Sequence, residues 1–189
     1  MRISGGEGRG RTLKTPKHKG LRPTSDKVRE ALFSILGARV EDAPFLELYA
    51  GTGAVGIEAL SRGAGRAVFV DSSPNAVRLI RENLDALGYR ERGYVIGKDV
   101  LVFLRSTAYE LGPFEIVFVD PPYHEGMGEK TMAALGEAPS DDSPDFLVPG
   151  SVVVYEHYKK HPAPESFGRL AKKKDYAYGD TALSVYILP

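Results

Sequence analysis

The chain has 189 residues, 42% of them hydrophobic and 26% charged, which is enough for one well-packed domain and short for two. Its 25 basic and 25 acidic side chains cancel, so whole-molecule charge argues for no acidic partner. The absence of cysteine excludes disulfides, thiolate metal sites and a cysteine nucleophile. No apolar run approaches the ~20 residues of a membrane span and the basic N-terminus leads into no signal-peptide core, so a soluble, cytoplasmic protein without membrane association is expected.

The zero net charge hides an asymmetry. Up to Arg29 the basic residues are Arg2, Arg9, Arg11, Lys14, Lys17, Lys19, Arg22, Lys27 and Arg29, against Glu7 and Asp26 alone. Charge by itself favours a solvated tail over a polyanion-binding patch. Arg2–Ser4 and Arg11–Leu13 read as a short hairpin, and Pro23 keeps Arg22 extended. Thr24, Ser25 and Asp26 form a helix start, with Val28, Leu32, Ile35 and Leu36 at helical spacing up to Gly37. Residues 1–37 are therefore expected to be a basic extension and helix, and 38–189 the main domain.

From Pro44 strands and helices alternate. Phe45–Ala50 is a first strand that breaks into Gly51-Thr52-Gly53, with a helix to about Arg62. Ala67–Asp71 is a second strand, and Pro74–Leu87 a helix closed by Gly88. Tyr94–Asp99 is a third strand, a short helix runs through Leu104, and Phe114–Val119 is a fourth strand. Pro139–Asp145 reads as a loop and Ser151–Tyr158 as a fifth strand. Leu170–Tyr176 and Ala182–Leu188, joined through Tyr178-Gly-Asp-Thr181, form an antiparallel pair. The expected fold is α/β: a doubly wound, mostly parallel, seven-stranded Rossmann-like sheet with an antiparallel C-terminal pair.

In such sheets ligands bind beyond the carboxyl ends of the strands. The loop after the first strand, Glu47-Leu-Tyr49-Ala-Gly51-Thr-Gly53-Ala-Val-Gly56, fits G-x-G-x-x-G, with Asp71 20 residues after Gly51. Alone, that loop does not separate a nicotinamide dinucleotide from S-adenosylmethionine. A carboxylate at Glu47 is unfavourable beside a pyrophosphate but useful beside an ammonium group. Asp71 suits ribose hydroxyls and Asp99 an adenine amino group. Each acid taken singly could be a helix cap or turn residue; together they describe a cationic, adenosine-bearing ligand.

Asp120-Pro121-Pro122-Tyr123 ends the fourth strand, a tetrad with chance odds on the order of 10⁻³ in a chain this long. An exocyclic amine on guanine or adenine is a weak nucleophile because its lone pair is delocalised into the ring. Asp120 accepting one N–H and a backbone carbonyl near Pro121 accepting the other would restore nucleophilicity, and two prolines hold both acceptors in place. Tyr123 offers a stacking face for an extruded base. Asp120 can also collect the proton released as the methyl arrives. The competing reading is a rigid turn after a buried strand. The four histidines show no metal-ligand spacing, so no metal is expected, and His124 and the Lys172–Lys174 run are given no role.

With the glycine loop, the strand-end acids and the tetrad in place, the chain resembles amino-group class I methyltransferases. Arg2-Ile-Ser-Gly-Gly6 with Arg9-Gly-Arg11, the segment Arg22-Pro-Thr-Ser-Asp-Lys-Val-Arg-Glu-Ala-Leu-Phe33, and Tyr178-Gly-Asp-Thr181 are similar to the bacterial family that makes N2-methylguanine in 16S ribosomal RNA. That resemblance implies S-adenosylmethionine as cofactor, held by Glu47, Tyr49, Gly51, Gly53, Asp71, Ser72, Asp99 and Val100. It implies catalysis at Asp120, Pro121, Pro122 and Tyr123, and rRNA contact through Arg9, Arg11, Arg22 and Thr24. The substrate would be 16S rRNA in the small subunit or an assembly intermediate, with ribosomal proteins nearby and the enzyme a monomer. The alternatives are a DNA adenine-N6 methyltransferase with the same site chemistry, an NAD-dependent oxidoreductase using Gly51, Gly53 and Gly56, and a non-catalytic assembly factor.

Overall fold

A computed structural model describes residues 1–15, 25–122, 126–140 and 145–189. The expected strands form, in chain order, as β1 (Pro44–Leu48), β2 (Arg66–Val70), β3 (Gly93–Ile96), β4 (Phe114–Val119) and β5 (Leu147–Tyr158). They are followed by β6 (Ser166–Phe167), β7 (Leu170–Tyr178) and β8 (Thr181–Ile187). The helices are α1 (Asp26–Leu36), α2 (Ala54–Ser61), α3 (Pro74–Leu87), α4 (Val100–Ser106), α5 (Ala108–Leu111) and α6 (Met127–Gly136). One sheet results, ordered β3-β2-β1-β4-β5-β8-β7-β6. The first five strands in that order are parallel and the last three antiparallel. The eighth strand, beyond the expected seven, is the two-residue β6 on the edge beside β7. Two residues are too few to leave a period-2 pattern in the sequence.

β1 to β5 are apolar on both faces because helices cover both. Phe45, Phe69, Ile116, Phe118 and Val154 belong to the core under α1, α2 and α3. Leu46, Val68, Val117, Val119, Val153 and Tyr155 belong to the core under α4 and α6. Strand order reverses between β1 and β4, so the loops after these two strands flank the crevice where doubly wound sheets take ligands.

The N-terminal hairpin forms through Arg2 opposite Thr12, with the Ile3 amide donating to the Arg11 carbonyl at 3.0 Å. Ile3 and Leu13 join the same core as Leu32 and Phe33 of α1. The Glu58 carboxylate on α2 accepts from the Ser4 and Gly5 amides at 2.9 and 2.8 Å and from the Ser4 hydroxyl at 2.8 Å. Arg29, counted among the basic groups of the N-terminal region, is 0% exposed. It pairs with Asp26 at 2.9 Å and Glu58 at 3.3 Å and donates to the Arg2 carbonyl at 2.6 Å. The charge pattern misplaced it because a buried ion network and a solvated patch have the same composition. The solvated-tail reading is likewise overturned for the hairpin.

Candidate active site

β1 delivers Glu47 and Tyr49 to the carboxyl edge of the sheet, and the chain then turns sharply through Gly51 (φ 52°) and Gly53 (φ 71°) into α2. Both glycines occupy the left-handed region, where a side chain is strained. Gly56, one turn into α2, is required by space instead. A Cβ there would stand 2.4 Å from the Phe69 ring and 2.9 Å from Glu47 Oε2.

That contact explains Glu47. Its carboxylate is 4% exposed and accepts from the Val55 and Gly56 amides at 3.3 and 2.8 Å, the free N–H groups of the first turn of α2. The carboxylate therefore has a structural task that the sequence reading did not assign to it. Burial pushes the Glu47 carboxyl up to about 8, opposed by the two amides and reinforced by the nearby charges of Asp120 and Asp71. Asp71 does similar work. Its two oxygens accept from the Gly51 and Ser73 amides, each at 2.8 Å, tying the glycine loop to the end of β2. Asp99 is exposed at the end of β3, where it caps α4 by accepting from the Val102 amide at 3.1 Å. Ser72 is exposed beside Asp71, and Val100 is buried in the first turn of α4.

Tyr49 adopts φ 60°, rare for a residue with a side chain. Its hydroxyl donates to Thr131 Oγ1 at 2.7 Å, since that hydroxyl gives its own proton to the Met127 carbonyl at 2.9 Å. Burial raises the Tyr49 phenol above its ordinary range, which keeps it a donor. Thus α6 braces the cofactor-side loop. Asn83 on α3, 1% exposed, braces it from the other side by donating to the Thr52 carbonyl at 3.4 Å. Neither Thr131 nor Asn83 was singled out from the sequence, because a buried polar residue on a helix reads there as an ordinary break in apolar periodicity.

These features fit an adenosine-bearing cation. A glycine turn permits close backbone approach, Asp71 and Asp99 stand at successive strand ends, and Glu47 and Asp120 place two carboxyl groups near the switch point, Glu47 able to give up its proton when a cation binds. Among the described residues no group of three or more His, Asp or Glu side chains could hold a metal ion.

On the other side of the switch point, Asp120 follows β4, half-buried, with Pro121 buried and Pro122 exposed after it. Tyr123, His124, Arg22 and Thr24 lie outside the described residues. Pro121 and Pro122 open onto a cavity of about 510 Å³, walled by Gly128 of α6, Tyr155 to Tyr158 of β5, and Asp180 and Thr181 of the β7–β8 turn. Its size lies within the roughly 300–1,000 Å³ of small-molecule sites. Gly128 is needed here, because a Cβ would come within 2.1 Å of the Tyr155 hydroxyl. The Tyr178–Thr181 segment, noted in sequence only as a turn, is part of this wall.

Arg9 and Arg11 are not brought to the site. Arg11 donates to the Ala86 and Leu87 carbonyls at 2.6 and 2.9 Å, capping the end of α3. That helix starts beside Asp71 and has 14 residues, about 21 Å at 1.5 Å per residue. The hairpin tip therefore stands at the opposite edge of the sheet.

The whole chain takes part in the similarity to known proteins. The family model described as conserved hypothetical protein 95 matches residues 1–187. Ribosomal RNA small subunit methyltransferase D of Haemophilus influenzae is 33% identical over 176 residues, 92% of this chain and 88% of that protein. The structure of yhhF from Escherichia coli is 31% identical with a TM-score of 0.84, covering 100% of this chain and 97% of that one. An RNA methyltransferase from Salinibacter ruber, solved with S-adenosyl-L-homocysteine, shares the fold at a TM-score of 0.66 and 20% identity, covering 89% and 94%. With a Rossmann-like methyltransferase sheet and matches that run nearly end to end, the chain belongs to the conserved hypothetical protein 95 family and is a homologue of ribosomal RNA small subunit methyltransferase D.

Proposed function

We propose that this protein transfers a methyl group from S-adenosylmethionine to the exocyclic N2 of a guanine in 16S ribosomal RNA. The observation that carries the reading is the placement of Asp120-Pro121-Pro122 at the end of β4, across the strand-order reversal from the glycine loop, with the two prolines opening onto the 510 Å³ cavity. S-adenosylmethionine, when bound, supplies a methyl group already activated on sulfur. Gly51 and Gly53 admit it closely, Asp71 and Ser72 face its ribose, Asp99 and Val100 its adenine, and Glu47 and Tyr49 its methionine end. Asp120 accepts one N–H of the target amine, and a carbonyl beside Pro121 accepts the other. This orients the nitrogen lone pair toward the methyl carbon. Asp120 would then receive the proton as the N–C bond forms and the methyl–sulfur bond breaks, its electron pair staying on the sulfur of the departing S-adenosylhomocysteine. Tyr123 stacks on the base.

The substrate in this reading is the rRNA of the small subunit or its assembly intermediate, met by a cytoplasmic monomer close to ribosomal proteins. Residues 1–37 are the rRNA-contacting extension, with Arg9, Arg22 and Thr24 on phosphates and Arg11 shared between RNA and the end of α3. The direct test is transfer from labelled S-adenosylmethionine to small subunits lacking the modification, followed by nucleoside analysis. Label in N2-methylguanosine is expected. Label in N6-methyladenosine would keep the chemistry and overturn the base, and no label would overturn the reading.

A further inference from the structure

The loop that leaves β5 is pinned along its length. The Tyr158 carbonyl accepts from the His161 amide at 2.9 Å, which closes a tight turn, and the Lys159 amide donates to the Asp180 carbonyl of the β7–β8 turn at 2.8 Å. Further on, the Ala163 carbonyl accepts from Lys172 Nζ at 2.9 Å and the Pro164 carbonyl from the Tyr186 hydroxyl at 2.6 Å. Pro162 restricts the backbone of His161 from the next position. The turn presents His161 at the rim of the cavity, in a wall completed by Pro121, Pro122 and Met127. His161 is exposed, and its imidazole makes no hydrogen bond among the described residues. An aromatic ring positions it instead: its centroid lies 5.7 Å from that of Tyr158 at an interplanar angle of 88°. Lys160 Nζ stands over the same tyrosine ring, 5.6 Å from its centroid. Edge-to-face packing leaves at least one face of the imidazole uncovered by Tyr158.

We infer that His161 is a stacking platform for an unpaired RNA nucleotide adjoining the target guanine. This rests on the proposed methyl transfer and deepens it by giving the substrate a second base subsite, at the mouth of the cavity that takes the reacting base. A base drawn into a cavity leaves its stack, and its neighbour loses the face it had covered. An aromatic ring at the mouth takes over that face, and histidine is among the side chains on which unpaired RNA bases stack. The pinned loop explains itself in the same terms, because a ring already fixed in place loses little freedom when a nucleotide docks. Charge favours RNA as the occupant. Lys159 and Lys160 are exposed in the same turn, where the phosphates of a nucleotide stacked on His161 would pass. Asp180, joined to the turn through its carbonyl, offsets part of that charge, so the lysines alone make a weak clamp and the stacked base supplies the rest. Stacking accepts any base, so the platform sets the path of the strand and not its sequence.

The test measures methyl transfer to small subunits lacking the modification by the unaltered protein and by His161→Ala, His161→Phe and His161→Lys. Removing a stacking ring is worth a factor of about 5 to 150. His161→Ala should lose that factor in kcat/KM through a raised KM, with kcat and S-adenosylhomocysteine affinity unchanged. His161→Phe should recover most of the loss and His161→Lys little of it. Full activity in His161→Ala, or a rescue by lysine as good as that by phenylalanine, would overturn the inference and leave the methyltransferase reading standing. A second measurement needs no catalysis. The chain has no tryptophan, so His161→Trp places its only indole on the platform. A hairpin RNA with an unpaired guanosine in its loop should quench that fluorescence, and the same RNA made abasic on both sides of the guanosine should not. Equal quenching by the two RNAs would show a contact to the backbone alone and overturn the inference. If the unaltered protein methylates no substrate, the function and this inference fall together.

Discussion

Asp120 and Glu47 stand close enough for each charge to weigh on the other, yet their surroundings give them different work. Asp120 is half-buried at a strand end beside the cavity; Glu47 is buried under α2 with both oxygens on backbone amides. Replacing Asp120 by Ala should cut turnover by roughly 10²–10⁴, the range for a positioned acid–base group, with S-adenosylhomocysteine affinity within about twofold. A large affinity loss in equilibrium binding would mean that Asp120 holds cofactor instead. Glu47 is a pH device. Its folded pKa of about 8 exceeds its ordinary 4.5, so the folded state binds the proton more tightly than the unfolded chain. Its contribution to stability is complete below 4.5 and is lost as pH rises through about 8. Glu47→Gln should flatten that decline in denaturant titrations. A methionine ammonium placed against Glu47 would lower its pKa, so S-adenosylhomocysteine should bind more tightly as pH rises toward about 8 and release a proton at neutral pH. Calorimetry in two buffers of different ionisation enthalpy checks this; no proton release would place the ammonium elsewhere.

Between residues and the whole fold, the cofactor loop is held by elements that never touch the ligand in the proposed pose. Asn83 on α3 donates to the carbonyls of Lys14 at 3.1 Å and Thr52 at 3.4 Å and accepts from the Lys14 amide at 2.8 Å. It links the N-terminal segment to the glycine turn. Asn83→Ala should cost about 1–3 kcal/mol in urea unfolding, because buried partners are left unsatisfied, and should also weaken S-adenosylhomocysteine several-fold. Loss of stability with unchanged affinity would show the turn to be self-supporting. The parallel strands, β8 and α3 are legible in sequence because each carries an apolar run or a 3.6 period, whereas β7, with Lys172 to Asp175 in its middle, is legible only as the partner that the Tyr178–Thr181 turn implies. By contrast, α6 was not read. It opens Gly126-Met127-Gly128 and is rich in small residues, and its glycine at 128 exists to admit Tyr155, a contact with no local signature. The strand-end acids were legible as positions, whereas their backbone partners were not. A loop amide and a carboxylate 20 residues away become neighbours only through the parallel pairing of β1 with β2. The same holds for Arg29 and Glu58, whose ion pair depends on how α1 docks against α2.

At the scale of the molecule, zero net charge offers no general attraction to RNA, so binding must come from local basic groups. The structure divides these between two edges of the sheet. Lys159 and Lys160, exposed, follow Tyr158 at the cavity rim. Arg9 is exposed on the hairpin, which is fastened to the far ends of α2 and α3, about 21 Å away along α3. A short stem-loop whose target base fills the cavity has no reason to reach that far edge, but the surface of a ribosomal particle does. Arg9→Ala should therefore weaken binding to small subunits and reduce the slope of log K against log salt by roughly 0.7–0.9, one phosphate contact. On an isolated stem-loop it should change neither. Lys159→Ala with Lys160→Ala should weaken both substrates, since those lysines stand where any target must enter. Arg11→Ala should mainly lower stability, by about 1 kcal/mol, through the lost cap on α3. If Arg9→Ala weakens the stem-loop as much as the subunit, RNA wraps the hairpin directly and the two-edge account fails. If it affects neither, the hairpin is a structural clasp and recognition belongs to the cavity edge alone.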